Sequence, residues 1–365
     1  MTIAKIGILG AGTMGGGIAI NAAQHGIEVV LVDVNAPALE AARGAARKFY
    51  ARAVEKGRMS EAEAAAAEAR IATASGLEAF AEVDLVLEAV FEDFDLKARL
   101  FGQMKALLKP GTLVATNTSC LRVSDLAEHV GEPELFLGMH YFSPAQVNPL
   151  VEVVRGPKTA DAVVERVLAF CRATGKKPLL CKDNYGFAVN RFFCPYTNEA
   201  SRLVDEGLGT TAQIDRVAQG ELKIAAGPFF VQNIIKPRIN LHAIRNLGLL
   251  GAFYAPAALL TRLGEADEPF EIGEPPAADP AAERVIAERL MAAMFLPVLE
   301  ALDEEIASPA DIDMGAEVAL KFGRPPCKLM DELGRAEVER LVAPLCATYG
   351  HALPKAIARV GSLRA

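Results

Sequence analysis

The stretch Ile6-Gly7-Ile8-Leu9-Gly10-Ala11-Gly12-Thr13-Met14-Gly15 joins a short apolar run to a helical stretch that continues to about His25. A second apolar run, Glu28–Val32, ends in Asp33, which lies 21 positions beyond Gly12. Glycines at this spacing between a strand and a helix, with an acid at the end of the next strand, predict a βαβ unit that binds a dinucleotide. The alternative is a glycine-rich turn without a ligand.

Each residue of this turn has a physical task in such a site. Gly10 permits the tight turn, Gly12 lets the backbone approach a pyrophosphate, and Gly15 lets the helix pack closely on the strand. Thr13 and Met14 begin the helix, whose amino end offers N–H groups and a positive dipole to the phosphates. We therefore assign these five residues to cofactor binding.

Asp33 indicates which dinucleotide binds. Its carboxylate can accept hydrogen bonds from the adenosine ribose hydroxyls, whereas it would repel a 2′-phosphate. No arginine that could offset this repulsion occurs in the next nine residues. The sequence therefore predicts NAD and not NADP as the cofactor.

The pattern of strands and helices continues through the next hundred residues. Val83–Val90 and Leu113–Ala115 read as buried strands, and in an open parallel sheet the ligand crevice lies beyond the carboxyl ends of such strands. The polar and backbone groups expected there are Ala89, Val90, Glu92, Lys97, Asn117 and Ser119. This organisation predicts a doubly wound Rossmann-type domain.

Residues 138–154 bring a histidine and a glutamate to the same crevice. His140 follows the apolar run Leu135–Met139, and Glu152 lies inside a second apolar run beyond a Ser-Pro turn. A buried carboxylate needs a partner, and a carboxylate that orients a histidine produces a general base near neutral pH. The alternative is a core histidine and an unrelated glutamate.

Bulk properties exclude several other classes of function. The formal charge of -8 over 365 residues, without a long basic run, argues against nucleic acid as a partner. Six scattered cysteines predict reduced thiols, with neither a disulfide framework nor a metal site. We recognise no signal peptide and no apolar run of membrane-spanning length, so we expect a soluble cytoplasmic protein that does not associate with membranes.

Four separated motifs together resemble the 3-hydroxyacyl-CoA dehydrogenases. Besides the dinucleotide turn, they are Asn117-Thr118-Ser119, residues 138–144 with Leu150-Val151-Glu152-Val153, and Gly186-Phe187-Ala188-Val189-Asn190-Arg191. The resemblance extends through residue 230 or so and implies that NAD takes the hydride of a 3-hydroxyacyl-CoA, which becomes a 3-oxoacyl-CoA. Nothing in the residues alone specifies coenzyme A.

The resemblance also implies a role for individual residues. His140 would take the hydroxyl proton and Glu152 would orient it, while Ser119 and Asn190 would bind the substrate oxygen. Glu92 and Lys97 match positions near the nicotinamide ribose, and Lys56 matches a lysine that contacts coenzyme A. Ser143 stands where many members have asparagine, near the nicotinamide.

Other departures lie in the helical region beyond the dinucleotide-binding domain. The family usually has an aspartate and a Gly-Leu-Asp triplet where this chain has Asn233 and Lys236-Pro237-Arg238. The family has these residues near its acyl pocket, so we expect the accepted acyl group to be unusual, while the chemistry stays the same.

The helical half contains an internal repeat. Shifted by 98 positions, residues 191–233 lie over 289–331 without a gap, and Ile214-Asp215 falls on Ile312-Asp313. We predict a NAD-binding domain at 1–183, a first helical domain at 184–263, a linker at 264–284 and a second, structural repeat at 285–365. Because short family members dimerise through one such unit, the chain is expected to be a monomer with an internal pseudo-dimer, or a homodimer.

Two other functions stay open at this point. A related dehydrogenase could act on a free hydroxy acid or sugar acid, and a non-catalytic, crystallin-like protein could bind NAD without turning it over. His140, Glu152, Ser119 and Asn190 argue against the second. No hydratase-like segment is present, and no lysine matches the catalytic lysine of other 3-hydroxy-acid dehydrogenases.

Overall fold

The computed structural model describes residues 2–364. The chain forms two compact units, Met1–Asp183 and Asn184–Ala365. The first unit is an α/β domain and the second is helical, so the predicted fold class is confirmed. None of the helices described is both long and apolar enough to span a membrane.

The first unit is built on one sheet of eight strands in the order β3-β2-β1-β4-β5-β6-β7-β8. Strands β1 to β6 run parallel, β7 is antiparallel to β6, and β8 is parallel to β7. Their bounds are β1 Lys5–Leu9, β2 Glu28–Val32, β3 Ile71–Ala74, β4 Leu85–Glu88, β5 Leu113–Thr116, β6 Phe136–Tyr141, β7 Leu150–Arg155 and β8 Lys177–Lys182. The reversal at β7 brings Glu152 beside His140.

Helices cover the sheet and account for its apolar strands. They are α1 Thr13–Gln24, α2 Ala36–Glu55, α3 Glu61–Ala69, α4 Phe94–Met104, α5 Val123–Ala127 and α6 Asp161–Ala173. Leu85, Val86 and Leu87, three consecutive residues of β4, are all buried, as expected of a central parallel strand that is packed on both faces.

The second unit contains nine α-helices among the residues described. They are α7 Asn190–Asp205, α8 Thr211–Leu222, α9 Pro228–Ile235, α10 Pro237–Leu247, α11 Ala258–Ala266, α12 Pro280–Asp303, α13 Pro309–Leu320, α14 Pro326–Leu333 and α15 Arg335–Tyr349. Adding 98 to both ends of α8 gives α13, and the same shift carries α9 onto α14. The sequence repeat is therefore also a repeat of elements.

Side-chain contacts repeat with the same period. Asp215 accepts hydrogen bonds from the backbone N–H groups of Phe229 and Phe230 at the start of α9. Asp313 does the same for Cys327 and Lys328 at the start of α14. Each carboxylate thus satisfies amide groups that a helix leaves unpaired at its amino end.

The segment between the two copies is partly anchored. Helix α11 extends to residue 266 and α12 begins at Pro280, so 267–279 is the part without regular structure. Within it Phe270 is buried, and the Asn233 side chain both donates to its carbonyl (2.9 Å) and accepts from its N–H (2.7 Å). An aspartate at position 233 could only accept, so this departure from the family pattern has a structural use.

Candidate active site

The glycine turn between β1 and α1 has the geometry that a dinucleotide requires. Gly10 has a φ of 106°, and a Cβ there would lie 2.6 Å from the Ala89 carbonyl oxygen. A Cβ at Gly15 would lie 1.9 Å from the Gly10 carbonyl oxygen, whereas one at Gly12 would meet nothing within 4 Å. The first and third glycines are therefore required by packing, and the second leaves open space beside the backbone.

The amino end of α1 supports the same conclusion. Gly12 is its N-cap and offers no side-chain hydrogen bond, so the amide groups of Thr13, Met14 and Gly15 lack a side-chain cap. A pyrophosphate bound over Gly12 would accept from such groups and meet the positive end of the helix dipole. The residues present thus fit a dinucleotide.

Asp33 follows β2 at the same edge of the sheet. Its Oδ2 accepts from the Ala11 amide at 2.8 Å, and its Oδ1 accepts from the Asn35 amide at 2.8 Å. A carboxylate offers about four acceptor positions, so these bonds fix its orientation and leave capacity for ribose hydroxyls. The side chain is half-buried beside the glycine turn.

A buried charge cluster joins the carboxyl ends of β4 and β5. Lys97 Nζ lies 2.6 Å from Glu88 Oε1 and 3.1 Å from Glu92 Oε2. Glu88 also accepts from Thr116 Oγ1 (2.6 Å) and from the Val90 amide (2.7 Å). The strand ends and the start of α4 are thereby held together by charge-assisted hydrogen bonds.

Glu92 connects this cluster to the loop after β5. One of its carboxylate oxygens accepts from Thr118 Oγ1 (2.5 Å) and from the amide groups of Ser119 (2.8 Å) and Cys120 (3.3 Å). Burial alone would raise the pKa of Glu92, but Lys97 and these hydrogen bonds hold it below the usual value. For Lys97, burial opposes the charge, yet Glu88 and Glu92 raise its pKa.

His140 and Glu152 form a direct cross-strand pair. The register of β6 and β7 places them opposite each other, and His140 Nδ1 lies 2.7 Å from Glu152 Oε2. The glutamate is fully buried, and the histidine is 5% exposed. A carboxylate on Nδ1 selects the tautomer with its proton on that atom, so Nε2 is the nitrogen that can accept a proton.

Asn117 positions the end of the histidine strand. Its Oδ1 accepts from the Tyr141 amide at 2.9 Å, which links the loop after β5 to β6. The ring centroid of Phe142 lies 4.5 Å from that of His140, and Ser143 follows at an exposed position, joined to Pro144 by a cis bond. Glycine turn, charge cluster and histidine therefore all lie along one edge of the sheet.

Comparison with known proteins identifies the family of both units. Residues 5–184 match the NAD-binding domain of 3-hydroxyacyl-CoA dehydrogenase, and residues 186–271 match its C-terminal domain. The chain belongs to the 3-hydroxyacyl-CoA dehydrogenase family. The predicted family membership and the predicted cofactor, NAD, are both confirmed.

Individual relatives of this dehydrogenase-family chain differ in coverage. A probable 3-hydroxybutyryl-CoA dehydrogenase of Deinococcus radiodurans is 35% identical over 72% of the chain and 95% of the relative. The structure of (S)-3-hydroxybutyryl-CoA dehydrogenase from Ralstonia eutropha is 33% identical, with a TM-score of 0.70 over 73% of the chain and 94% of that structure. Both relatives align with well under the full chain.

Two further relatives extend to the second helical copy. The fatty acid oxidation complex subunit alpha of Psychrobacter arcticus is 28% identical over 96% of the chain, which spans about half (53%) of that relative. A 3-hydroxybutyryl-CoA dehydrogenase structure from Escherichia coli covers 100% of the chain and 99% of that structure, with a TM-score of 0.88 at 23% identity. At that identity the likeness shows the fold alone.

Two predicted substrate residues lie outside the group described above. Lys56 is exposed and caps the carboxyl end of α2, about 30 Å of helix from the strand edge where α2 begins. Asn190 belongs to the second unit, where it is the first residue of α7 and half-buried. The roles of both in substrate binding stay predictions.

The structure also reveals site residues that the sequence did not single out. Glu88 and Thr116 complete the Lys97 cluster, and Thr118 bonds to Glu92. Two acids and a lysine within ten residues of one strand end were the available signal for the cluster. The two threonines carried no such signal, because their partners lie more than twenty residues earlier, at the end of β4 and in the loop after it.

Proposed function

We propose that this chain catalyses the reversible, NAD-dependent oxidation of a 3-hydroxyacyl-CoA to the 3-oxoacyl-CoA. The observation that carries the proposal is the His140–Glu152 pair, with 2.7 Å between Nδ1 and Oε2, on the same sheet edge as the dinucleotide turn. A general base beside a hydride acceptor is the minimum that alcohol oxidation requires.

His140 would remove the hydroxyl proton through Nε2, and the imidazolium that forms would be stabilised by the Glu152 carboxylate. NAD, when bound, accepts the hydride from the carbon that bears this hydroxyl group. Asn117 keeps the end of the histidine strand in place through the Tyr141 amide. We assign the substrate oxygen to Ser119, whose amide is anchored by Glu92, and to Asn190.

The substrate class follows from the named relatives. The Deinococcus radiodurans and Ralstonia eutropha proteins are named as 3-hydroxybutyryl-CoA dehydrogenases, so we propose an acyl-CoA substrate and 3-hydroxybutyryl-CoA as the first to test. The cytoplasm is our proposed location, because six dispersed, buried cysteines are typical of a reducing compartment. Cell fractionation checks this location.

The testing experiment measures NADH formation with purified enzyme, 3-hydroxybutyryl-CoA and NAD. His140→Ala should lower kcat/KM by roughly 10²–10⁴-fold while leaving NADH affinity nearly unchanged. Glu152→Gln should also lower kcat, because a neutral amide does not stabilise the imidazolium of His140. His242→Ala is the matched control, since that histidine is exposed on α10.

Three results would contradict the proposal in different ways. Equal turnover by His140→Ala would remove the general base. Oxidation of free 3-hydroxybutyrate or a sugar acid in preference to the thioester would favour a free-acid dehydrogenase. Tight NADH binding without turnover of any 3-hydroxyacyl-CoA would favour a non-catalytic NAD-binding protein.

A further inference from the structure

Lys176 is a buried cation in the turn between α6 and β8. It is 5% exposed, and its Nζ donates to the carbonyl oxygens of Ala145 (2.6 Å) and Asn148 (2.8 Å). The centroid of the Tyr141 ring lies 5.9 Å from the same nitrogen. No carboxylate among residues 2–364 forms an ion pair with it.

Both carbonyl groups belong to one loop, residues 142–149, which joins the strand of His140 to the strand of Glu152. The same loop also packs on α1, the helix that follows the glycine turn. A Cβ at Gly17 of α1 would lie 3.1 Å from Ala145 Cβ and 2.7 Å from Gln146 Oε1. Lys176 therefore anchors a loop that also contacts α1.

The loop lies at the nicotinamide end of the cofactor site. Asp33 follows β2, on one side of the glycine turn, and would take the adenosine ribose, whereas His140 lies within β6, near its carboxyl end, on the other side. Phe142, the first residue of the loop, packs its ring 4.5 Å from the ring of His140. A shift of the loop would displace Ala145 and Gln146, which contact α1, and Phe142, which packs on His140.

Burial of a lysine at position 176 carries a free-energy cost that an apolar side chain would not. Burying an ammonium group without a counter-ion is unfavourable, and an apolar side chain of similar volume would fill the same site without that desolvation cost. What the ammonium adds is two charge-assisted hydrogen bonds, each roughly twice as strong as a neutral one. We infer that Lys176 is a positioning residue that holds loop 142–149 against α1 and so shapes the nicotinamide end of the NAD site.

The titratable groups around Lys176 come from three elements. They are Cys171 on α6, Tyr141 on β6, and His25, which caps α1 and whose Nε2 would lie 2.9 Å from a Cβ at Gly175. Burial raises the pKa of Cys171 to about 12 and that of Tyr141 above its usual value. Neither group therefore supplies a negative charge near neutral pH.

Burial also lowers the pKa of Lys176 to about 8. As the pH rises through this value, the ammonium loses its charge and both hydrogen bonds to the loop weaken. We therefore expect weaker NADH binding at alkaline pH. The effect should be only several-fold, because a neutral amine can still donate hydrogen bonds to the two carbonyl groups.

The test measures NADH dissociation constants by fluorescence, without acyl-CoA, and KM for NAD and kcat in the full reaction. Lys176→Met should raise the dissociation constant and KM about tenfold with a smaller change in kcat, because two buried carbonyls lose their donor. Lys176→Arg keeps a permanent charge. It should therefore bind NADH more tightly than Lys176→Met does, and its NADH affinity should not weaken at alkaline pH. Lys177→Met, at the exposed neighbour, should match wild type.

Two outcomes would overturn the inference. One is a folded Lys176→Met protein with NADH affinity and KM unchanged, whatever its thermal stability. The other is a wild-type NADH dissociation constant that stays constant between about pH 7 and about pH 9, a measurement that still decides if the variants do not fold. Because NADH binding needs no substrate, these results are independent of whether the proposed dehydrogenase activity is found.

Discussion

Arg191 Nη2 lies 2.6 Å from Glu304 Oε1, although the two residues belong to different copies of the helical repeat. The shift of 98 positions turns this pair into Arg289 and Glu206, which lie 2.9 Å apart in the opposite direction. Reciprocal contacts of this kind define an isologous interface, the type found in twofold dimers. Here a single chain supplies both halves, through the packing of α7 on α12.

Arg289→Met should destabilise the helical unit. Its guanidinium also contacts Glu199, whose side chain is fully buried and would then keep Arg202 as its ion-pair partner. We expect a loss of about 2–4 kcal/mol in the free energy of unfolding, measured by urea denaturation. Arg284→Met, at an exposed position on the same helix, should change it by less than about 0.5 kcal/mol. Equal effects of the two variants would contradict the role of the interface.

We expect the protein to be a monomer in solution. The second copy packs against the first within the chain, through α7 and α12, so this surface of the repeat already has a partner. Sedimentation over a broad range of concentrations should give one species of 38.8 kDa. A dimer that persists on dilution would show that another surface associates.

Asp33→Asn should weaken NADH binding about tenfold. The asparagine side chain has one acceptor oxygen in place of two and no negative charge. Asp33 uses both of its oxygens for the backbone amide groups of Ala11 and Asn35, so the variant would have less capacity left for the ribose hydroxyls. Fluorescence titration with NADH checks this, with Asp95→Asn at an exposed position on α4 as control. Unchanged affinity in Asp33→Asn would refute the ribose contact.

Glu92 should make the stability of the NAD-binding domain depend on pH. Since its pKa in the folded state lies below the usual 4.5, its contribution is present above that value and is lost as the pH falls through the folded pKa. Glu92→Gln should cost about 1–3 kcal/mol near neutral pH, and the difference from wild type should disappear in acid. Urea denaturation at several pH values measures this. A constant difference, or one shared by the exposed Glu128→Gln, would contradict it.

Lys236→Gly should stabilise the protein. Lys236 has a φ of 83°, and the equivalent residue in the second copy is Gly334, with a φ of 82°. A side chain in this region costs about 1–3 kcal/mol, and glycine loses about 0.5–1 kcal/mol of that gain through entropy. Thermal denaturation should therefore show a gain of about 1 kcal/mol, whereas Gly334→Lys should show a loss. Destabilisation by Lys236→Gly would mean that the lysine makes compensating contacts.

The sequence predicted those parts of the site that depend on local pattern. The glycine turn and the His140–Glu152 pair could be predicted because strand periodicity and turn residues determine them within a few positions. For the Glu88–Lys97 pair the sequence offered only the spacing of the charges, since the contact itself depends on how α4 packs on the strand ends. Lys176 carried no signal at all, because its partners lie about thirty residues earlier, in an otherwise ordinary loop.

The repeat illustrates the same division. The offset of 98 was visible in the residues, but the reciprocity of Arg191 and Arg289 needed the packing of two helices. The linker prediction rests on composition, because the stretch 264–280 is acidic and rich in proline. Its anchoring through Asn233 and Phe270 depended on a contact across 37 residues, which composition does not encode.

Joining the two halves covalently has a consequence for how they can change over time. In a dimer of identical subunits, any substitution is imposed on both sides of the axis at once. In this chain the two sides are separate stretches of one gene product, so each can vary alone. Asn190 opposite Glu288, and Lys236 opposite Gly334, are positions where the two copies already differ.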